Sequence, residues 1–457
     1  MSDTYVNGIK RSLVGDPDAS FVLLCNFEVE HAWSDGHVGL PGPKLSTTAA
    51  IVDRMEQMGA LLGGPSDVLV LGGPLDAGYR AYVADLGFRL PQEIVLDHDD
   101  RSQGTTAGAL NSPETLARLR ELARGGAHLM PMGVSRAEQR LAEATGLALA
   151  GPDSGTSERV NSKIYSRRLV EDLGLTAVPG YCVETVEELG KALEAGRATG
   201  APLIVKEAFG VSGKGLLIVD TDSRAHRLMR MAEQRAARTG SDALDLVVEH
   251  FLAKKFDLNY QFTIDRAGGV RFDFVKQALT ANGVHLGHAL PAALRPEQHA
   301  KLRYVAQQVG ARLFADGFFG VVGVDAILGS DDTLYPVLEI NARLNMSSYQ
   351  GGVVERFGRP GAHAVAKHYS LRLAAPVGFH QVRDALGPLA QPAPDGSIVL
   401  VTCFGTLNAA APESGESGRP FDGRLYTMLF GPDRSAIDEL DRRAGDALGR
   451  IDSVEVR

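Results

Sequence analysis

Apolar residues recur along this chain with two different periods, and the alternation between those periods lays out its elements. In the first 150 residues, SFVLLCNF (20–27), DVLVLGG (67–73) and EIVLD (93–97) read as parallel strands, since a strand covered on both faces is apolar nearly throughout. Between them, STTAAIVDRMEQMGALLG and SPETLARLRELARGG carry helical spacing; Ser112 caps the second, with Glu114 close behind and Gly125 as its stop. Strands alternating with helices predict an open α/β domain over residues 1–154. Ligands of such sheets sit beyond the carboxyl ends of the strands, which draws attention to the Gly72-Gly73-Pro74 turn, though a tight turn alone would read the same.

After the loop GPDSGTSERVNSK the pattern changes. A helix (SKIYSRRLVEDLG) leads to the strand-like APLIVKEAF and GKGLLIVD, a helix (SRAHRLMRMAEQRAART) and the strand LDLVVEHFL. A mixed region follows, with strands NYQFTI, GVRFDFVKQ, GVVGVDAIL and TLYPVLEINAR and the helix PEQHAKLRYVAQQVGARLFAD. The pattern is α+β over residues 155–375. Proline-rich punctuation (PVGF, GPLAQPAPDG) then precedes a small β/α tail over 376–457, expected to form a self-contained module.

One strand departs from simple amphipathicity. In LEINARLNMSSY (338–349), Glu339, Asn341, Arg343 and Asn345 would project on one face and Ile340, Ala342 and Leu344 on the other. Asp325, in GVVGVDAIL, is likewise an acid flanked by apolar residues. Two acids at one inner depth repel unless a cation lies between them, and hard oxygen ligands on neighbouring strands suit magnesium. Asp325, Glu339 and Asn341 are therefore candidate metal ligands. Upstream, Lys206 ends a strand before a glycine-rich turn, Gly210, Ser212, Gly213 and Gly215. Glycine lets backbone amides approach a phosphate, while an ordinary β-turn with a solvated Lys214 would look alike. The turn fits neither a P-loop nor a dinucleotide fingerprint. Glu249 ends an apolar strand, followed by His250, Phe251 and Leu252, where free backbone groups can read an adenine edge. Lys276 and Arg271 are further cationic candidates. His285 and His288 lack a third metal ligand in view and are expected to shape a substrate loop, and Asp97-His98-Asp99-Asp100 a polar loop.

Composition narrows the field. The 457 residues are 44% hydrophobic and 23% charged, in the range of folded globular proteins, with a net charge of -9 that speaks against a nucleic-acid partner. The three cysteines, Cys25, Cys182 and Cys403, are far apart, so a reducing, cytoplasmic setting fits, and the N-terminal stretch has no apolar run that would act as a secretory signal or membrane anchor.

Taken together, Lys163 with Pro179-Gly180 downstream, Lys206 before its glycine turn, the EHFL segment and Asp325…Glu339-Ile-Asn341-Ala-Arg343 resemble the ATP-grasp ligases over about 155–370. The resemblance implies a pre-ATP-grasp domain, a nucleotide clamped between lobes at about 176–255 and 256–375, and a small C-terminal α/β domain. It implies that Lys163, Lys206, the glycine turn and Lys276 contact phosphates, that Glu249, His250, Phe251 and Leu252 hold adenine, and that Asp257 faces the ribose. Asp325, Glu339 and Asn341 would bind magnesium, with manganese as an alternative, and Arg343 and Lys206 would serve the chemistry. The segments FVLLCNFE and LVTCFGTLN make the layout similar to the pheganomycin-type peptide ligases, which join a guanidino-acid to a peptide amino terminus in secondary metabolism. What this implies is ADP-forming amide synthesis through an acylphosphate, from a small carboxylic acid and an amine or peptide, with a homodimer as a common default. A dipeptide-forming or other carboxylate–amine ligase, a phosphotransferase and a non-catalytic nucleotide-binding protein stay open as alternatives.

Overall fold

The computed structural model describes residues 4–40, 49–97, 104–210, 215–281, 284–412 and 419–457. Three sheets organise them. The first contains β1 (Phe21–Leu24), β2 (Val68–Leu71), β3 (Gln92–Val95), β4 (His128–Pro131) and β5 (Ala148–Leu149), all parallel, in the order β3-β2-β1-β4-β5. The order reverses direction beside β1, so chain leaving the carboxyl ends of β1 and β4 frames a crevice. Asn26 lies there, its Nδ2 donating to the Gly133 carbonyl at 2.9 Å. The helix Pro113–Arg124 starts as its sequence demands, with Ser112 Oγ accepting from the Thr115 amide at 3.2 Å.

The second sheet is antiparallel: β6 (Gly180–Thr185), β7 (Leu203–Glu207), β8 (Leu216–Val219) and β9 (Ala243–His250), in the order β6-β9-β7-β8. The helices Val186–Arg197 and Asp222–Thr239 cover one face, packing Leu189, Leu193 and Leu228 against Val205, Val219 and Val248. On the other face the helix Lys163–Asp172 packs against β6 and β9, and the part over β7 and β8 stays open.

The third sheet comprises β10 (Lys254–Ile264), β11 (Val270–Ala281), β12 (Val284–Leu290), β13 (Gly320–Gly329), β14 (Leu334–Asn341), β15 (His363–Leu373), β16 (Ile398–Cys403), β17 (Phe421–Gly431) and β18 (Val454–Val456). Its order is β14-β13-β10-β11-β12-β15-β17-β16, with β18 beside β15. The C-terminal segment, expected to stand by itself, therefore extends the same sheet: β15 pairs with β12 on one side and β17 on the other. Its core is continuous with that of the first sheet, since Phe379 and Phe404 pack against Tyr79 and both clusters merge.

Strand β10 decides the two faces of this sheet. Leu258, Tyr260, Phe262 and Ile264 are buried, against Leu302, Val305 and Val309 of the helix Pro296–Ala315. Their alternates Asp257, Asn259, Gln261 and Thr263 face the opposite way, onto a polar floor. Among the described residues no helix is long and apolar enough to cross a membrane.

Candidate active site

The polar floor of the third sheet is ordered by strand register. Lys276 on β11 opposes Asn259 on β10, Asn259 opposes Asp325 on β13, and Asp325 opposes Glu339 on β14. Directly opposed residues point to the same side, so these four side chains form one row across four strands. One step along, Gln261, Gly323 and Asn341 form the next row. Asn259 Nδ2 donates to Asp325 Oδ1 at 2.8 Å, and Asn341 Nδ2 donates to Oδ2 at 3.2 Å. Burial, then the neighbouring Glu339 charge, push the Asp325 carboxyl up to about 6. Among the described residues no three or more His, Cys, Asp and Glu gather into a ready-made metal cage. Two facing carboxylates with amides beside them are nevertheless what magnesium takes when substrate phosphates and water complete its shell. Asn259 Oδ1 is buried and has no hydrogen-bond partner, a further oxygen that fits a cation there.

Strand β14 ends at Asn341, so the expected alternation through Asn345 stops early. A bend takes over: the Arg343 amide donates to the Asn341 carbonyl at 2.8 Å, which brings the guanidinium back to the same side. Arg343 Nη2 donates to Asn341 Oδ1 at 3.0 Å and to Glu30, on the helix Val29–Ser34 after β1. Its Nε is buried without a partner, and burial lowers the guanidinium to about 10. Ile340 and Ala342 are buried on the other side, as alternation predicted, while Leu344, past the bend, is buried in the core shared with the first sheet, its amide donating to the Met132 carbonyl at 2.9 Å. Asn345 is buried too, its Oδ1 accepting from the Ser347 amide at 2.8 Å.

Lys163, at the start of the helix Lys163–Asp172, reaches Glu339 Oε1 at 2.7 Å and the Gly210 carbonyl at 3.2 Å. It links the metal-type row to the glycine turn. Lys206 Nζ donates to Glu249 Oε2 at 2.6 Å, and Arg167 Nη1 donates to Glu249 Oε1 at 3.3 Å. Glu249 is thus a buried carboxylate held between two cations rather than a strand-end acid facing water. Arg167 also donates to the Gly180 carbonyl at 2.9 Å. Removing one member of a buried pair leaves an uncompensated charge, so Glu249→Ala is expected to cost about 3–5 kcal/mol in a urea unfolding curve. A loss below about 1 kcal/mol would contradict this account of the carboxylate.

The register of the second sheet shows what lies next to Lys206. Glu249 opposes Ile204 and Ile204 opposes Ile218; Val247 opposes Lys206 and Lys206 opposes Leu216. Ile204, Leu216 and Ile218 therefore share the open face with Lys206 and Glu249, and Leu216 and Ile218 are 42% and 41% exposed. The sequence reading missed this apolar floor, as it missed Arg167 and Asn259. Leu216 and Ile218, two apolar residues in alternate positions after the glycine turn, were its only trace.

Other expected residues are placed differently. His250 and Phe251 donate their amides to the Pro179 and Pro202 carbonyls at 2.9 and 2.8 Å. Leu252 follows, half-buried. Asp257 Oδ2 accepts from Lys254 Nζ at 2.5 Å. Lys276 joins the row, but its Nζ turns to Gln350 Oε1 at 2.6 Å and the Ser347 carbonyl at 3.3 Å, away from Lys163 and Lys206. Arg271 bonds Asp273 Oδ1 at 2.9 Å. Gly215 adopts φ +76°, which a side chain disfavours, and the Glu207 amide donates to its carbonyl at 2.9 Å. Ser212, Gly213, Lys214, the side chain of His285 and most of the 97–100 loop lie outside the described residues.

This geometry meets two family models. Residues 55–147 match the Pre ATP-grasp domain, and residues 162–352 match the ATP binding domain of the carbamoyl-phosphate synthase L chain. The chain carries a pre-ATP-grasp domain followed by an ATP-grasp domain. The ATP-grasp match starts one residue before Lys163 and ends three after Tyr349, so it encloses every charged residue of the two floors. Among curated relatives, the [butirosin acyl-carrier protein]–L-glutamate ligase of Niallia circulans is 29% identical over 202 residues, covering 44% of this chain and 47% of that protein. The carbamoyl phosphate synthase large chain of Xanthomonas axonopodis pv. citri is 24% identical over 323 residues, covering 65% and 29%. The chain thus spans less than half the length of these relatives. Biotin carboxylase from Campylobacter jejuni superposes with a TM-score of 0.56 at 13% identity, covering 96% of this chain and 92% of that one. The ADP complex of N5-carboxyaminoimidazole synthetase from Staphylococcus aureus gives 0.52 at 13%, covering 95% and 98%. At these identities the superpositions establish the ATP-grasp fold.

Proposed function

We propose that the protein is an ADP-forming carboxylate–amine ligase that makes an amide bond through an acylphosphate. The observation that carries the reading is the row Asp325–Glu339 with Asn341 and Arg343 beside it, tied through Lys163 to the glycine turn that follows Lys206 on the second sheet. Adenine would lie on Ile204, Leu216 and Ile218, with the backbone around His250 and Leu252 at its edge and Asp257 nearest the ribose. Lys163 and Lys206 would exchange their carboxylate partners for phosphate oxygens, which are harder acceptors with more charge. Asp325, Glu339 and Asn341 would hold magnesium, whose chemistry is to neutralise the charge spread over the phosphates. Arg343, with its buried unpaired Nε, would release Glu30 and hold the oxygens of the reacting carboxyl group.

In that arrangement the substrate carboxylate attacks the γ-phosphorus and ADP departs. The amine then attacks the acyl carbon, the tetrahedral oxyanion collapses and phosphate leaves. The chain contributes position and fixed charge rather than covalent chemistry. The finer reading is that an amino- or guanidino-acid is joined to a peptide amino terminus; the butirosin relative, named for the ligation of L-glutamate to an acyl-carrier protein, supports the amino-acid part of it.

The test is to supply ATP, magnesium, hydroxylamine and a panel of carboxylic acids. ADP with a hydroxamate is expected, whereas AMP would replace the proposal with adenylation. The Asp325 carboxyl adds a pH dependence. Its pKa is raised in the fold, so the unliganded fold holds that proton more tightly and loses this stabilisation as pH climbs from the ordinary carboxylate range through about 6. A cation needs the ionised form. The increase in Tm given by magnesium with ADP is therefore expected to be larger at pH 7.5 than at pH 5, and an equal increase at both would count against Asp325 as a ligand.

A further inference from the structure

Beside the row lies a cavity of about 440 Å³ whose role the ligase chemistry leaves open. It sits between the N-terminal helix Tyr5–Val14, strand β11 and the helix Gly351–Phe357. Its size falls within the range of small-molecule pockets. The lining is mainly apolar, from Tyr5, Phe274, Leu290 and Val354, and Lys276 closes its inner end. The charges around it are unevenly compensated. Asp273 accepts from Arg271, Gln261 and Thr263, and Glu355 accepts from the Tyr5 amide at 3.1 Å. Lys276 Nζ, by contrast, meets the neutral oxygens of Ser347 and Gln350 and lies 4.6 Å from the Phe274 ring centroid. At 1% exposure, with burial drawing its ammonium down to about 7, this lysine lacks the charged oxygen acceptor that a ligand would supply.

The same lysine is the last member of the Lys276–Asn259–Asp325–Glu339 row. Three strand spacings separate its backbone from that of Glu339, roughly 14 Å. A ligand that places a carboxyl group at Arg343 and extends along the polar floor would pass Lys276 and end in the cavity.

We propose that this cavity is the specificity subsite for the acid, receiving the apolar end of an elongated carboxylic acid whose mid-chain oxygen meets Lys276. The proposal rests on the ligase reading. It makes the N-terminal helix, through Tyr5, part of the substrate site. Glycine-sized acids held at Arg343 would leave the apolar lining empty, so longer acids are the preferred substrates.

The test compares wild type with Val354→Trp, which fills the cavity from its helix wall, and Tyr5→Ala, which enlarges it. ADP release is measured across a series of acids of increasing apolar length, with the KM for ATP recorded alongside. For Val354→Trp, kcat/KM for the long acids is expected to fall about 10–100-fold relative to the shortest, the size of effect a few methylenes command in an apolar pocket. Tyr5→Ala should shift the optimum to longer or bulkier acids, and the KM for ATP should stay constant in both. An unchanged ranking of acids in both variants, or an equal loss on every acid, overturns the subsite. If Val354→Trp does not fold, the ranking in Tyr5→Ala decides alone. ADP release with no acid in the wild type overturns the ligase reading itself, and the subsite with it.

Discussion

Arg343→Ala is expected to lower turnover by about 10²–10³ while leaving ADP affinity unchanged. The guanidinium lies past the end of β14, is 10% exposed, and is held by Asn341 and by Glu30 of the first domain. It does not share the sheet that would carry adenine, so nucleotide binding has no reason to depend on it. A preorganised donor aimed at developing oxyanion charge is worth about that factor when removed. Calorimetric titration of ADP and steady-state ADP release measure the two halves of this expectation. Turnover within a factor of a few of wild type would remove Arg343 from the chemistry, and a parallel loss of ADP affinity would move it to the nucleotide.

Glu339→Gln is expected to raise the magnesium concentration for half-maximal activity by at least about 10²-fold and to lower the maximal rate with it. The amide keeps the shape but not the charge. Changes to residues that merely support metal ligands cost about 10–100-fold in affinity, so loss of a ligand charge should reach the top of that range. The variant also turns the charged contact of Lys163, which donates to this carboxylate at 2.7 Å, into a weaker neutral one. Lys163 would then turn more readily to phosphate. Nucleotide affinity measured without metal should therefore hold or rise even as activity falls. An ordinary magnesium titration for Glu339→Gln would contradict its assignment as a ligand.

Much of this site was legible because it depends on period-two alternation. Asp325, Glu339 and Asn341 could be put on one face from the sequence, and register brings them to one face across β13 and β14. The apolar counterparts Ile340 and Ala342 are buried for the same reason. What stayed hidden depends on partners distant in sequence. Nothing in SKIYSRRLVED marks Arg167 as the second cation on Glu249, eighty-two positions away. Asn259 looks like any polar residue of an amphipathic strand until β13 is laid beside it. Glu30 meets Arg343 across more than three hundred residues.

The fold divides in the same way. The three runs read as parallel strands are β1, β2 and β3, while His128–Pro131 passed unnoticed because four residues with a histidine and a proline make a weak strand signal. The bend after Asn341 was missed because alternation continues in the sequence after the strand has ended. The C-terminal tail looked separate because its strands are local in sequence. The pairing that joins it to the sheet, β17 with β15, reaches back across the boundary at 375 to a strand that the sequence pattern did not single out.

The central claim is that the substrate carboxylate attacks the γ-phosphorus of ATP. It is tested most directly by isotope transfer, using the acid that gives the greatest ADP release, labelled with ¹⁸O in its carboxyl group. One ¹⁸O atom in the inorganic phosphate, formed together with ADP, is the result predicted. Unlabelled phosphate, or label appearing in AMP, would contradict it.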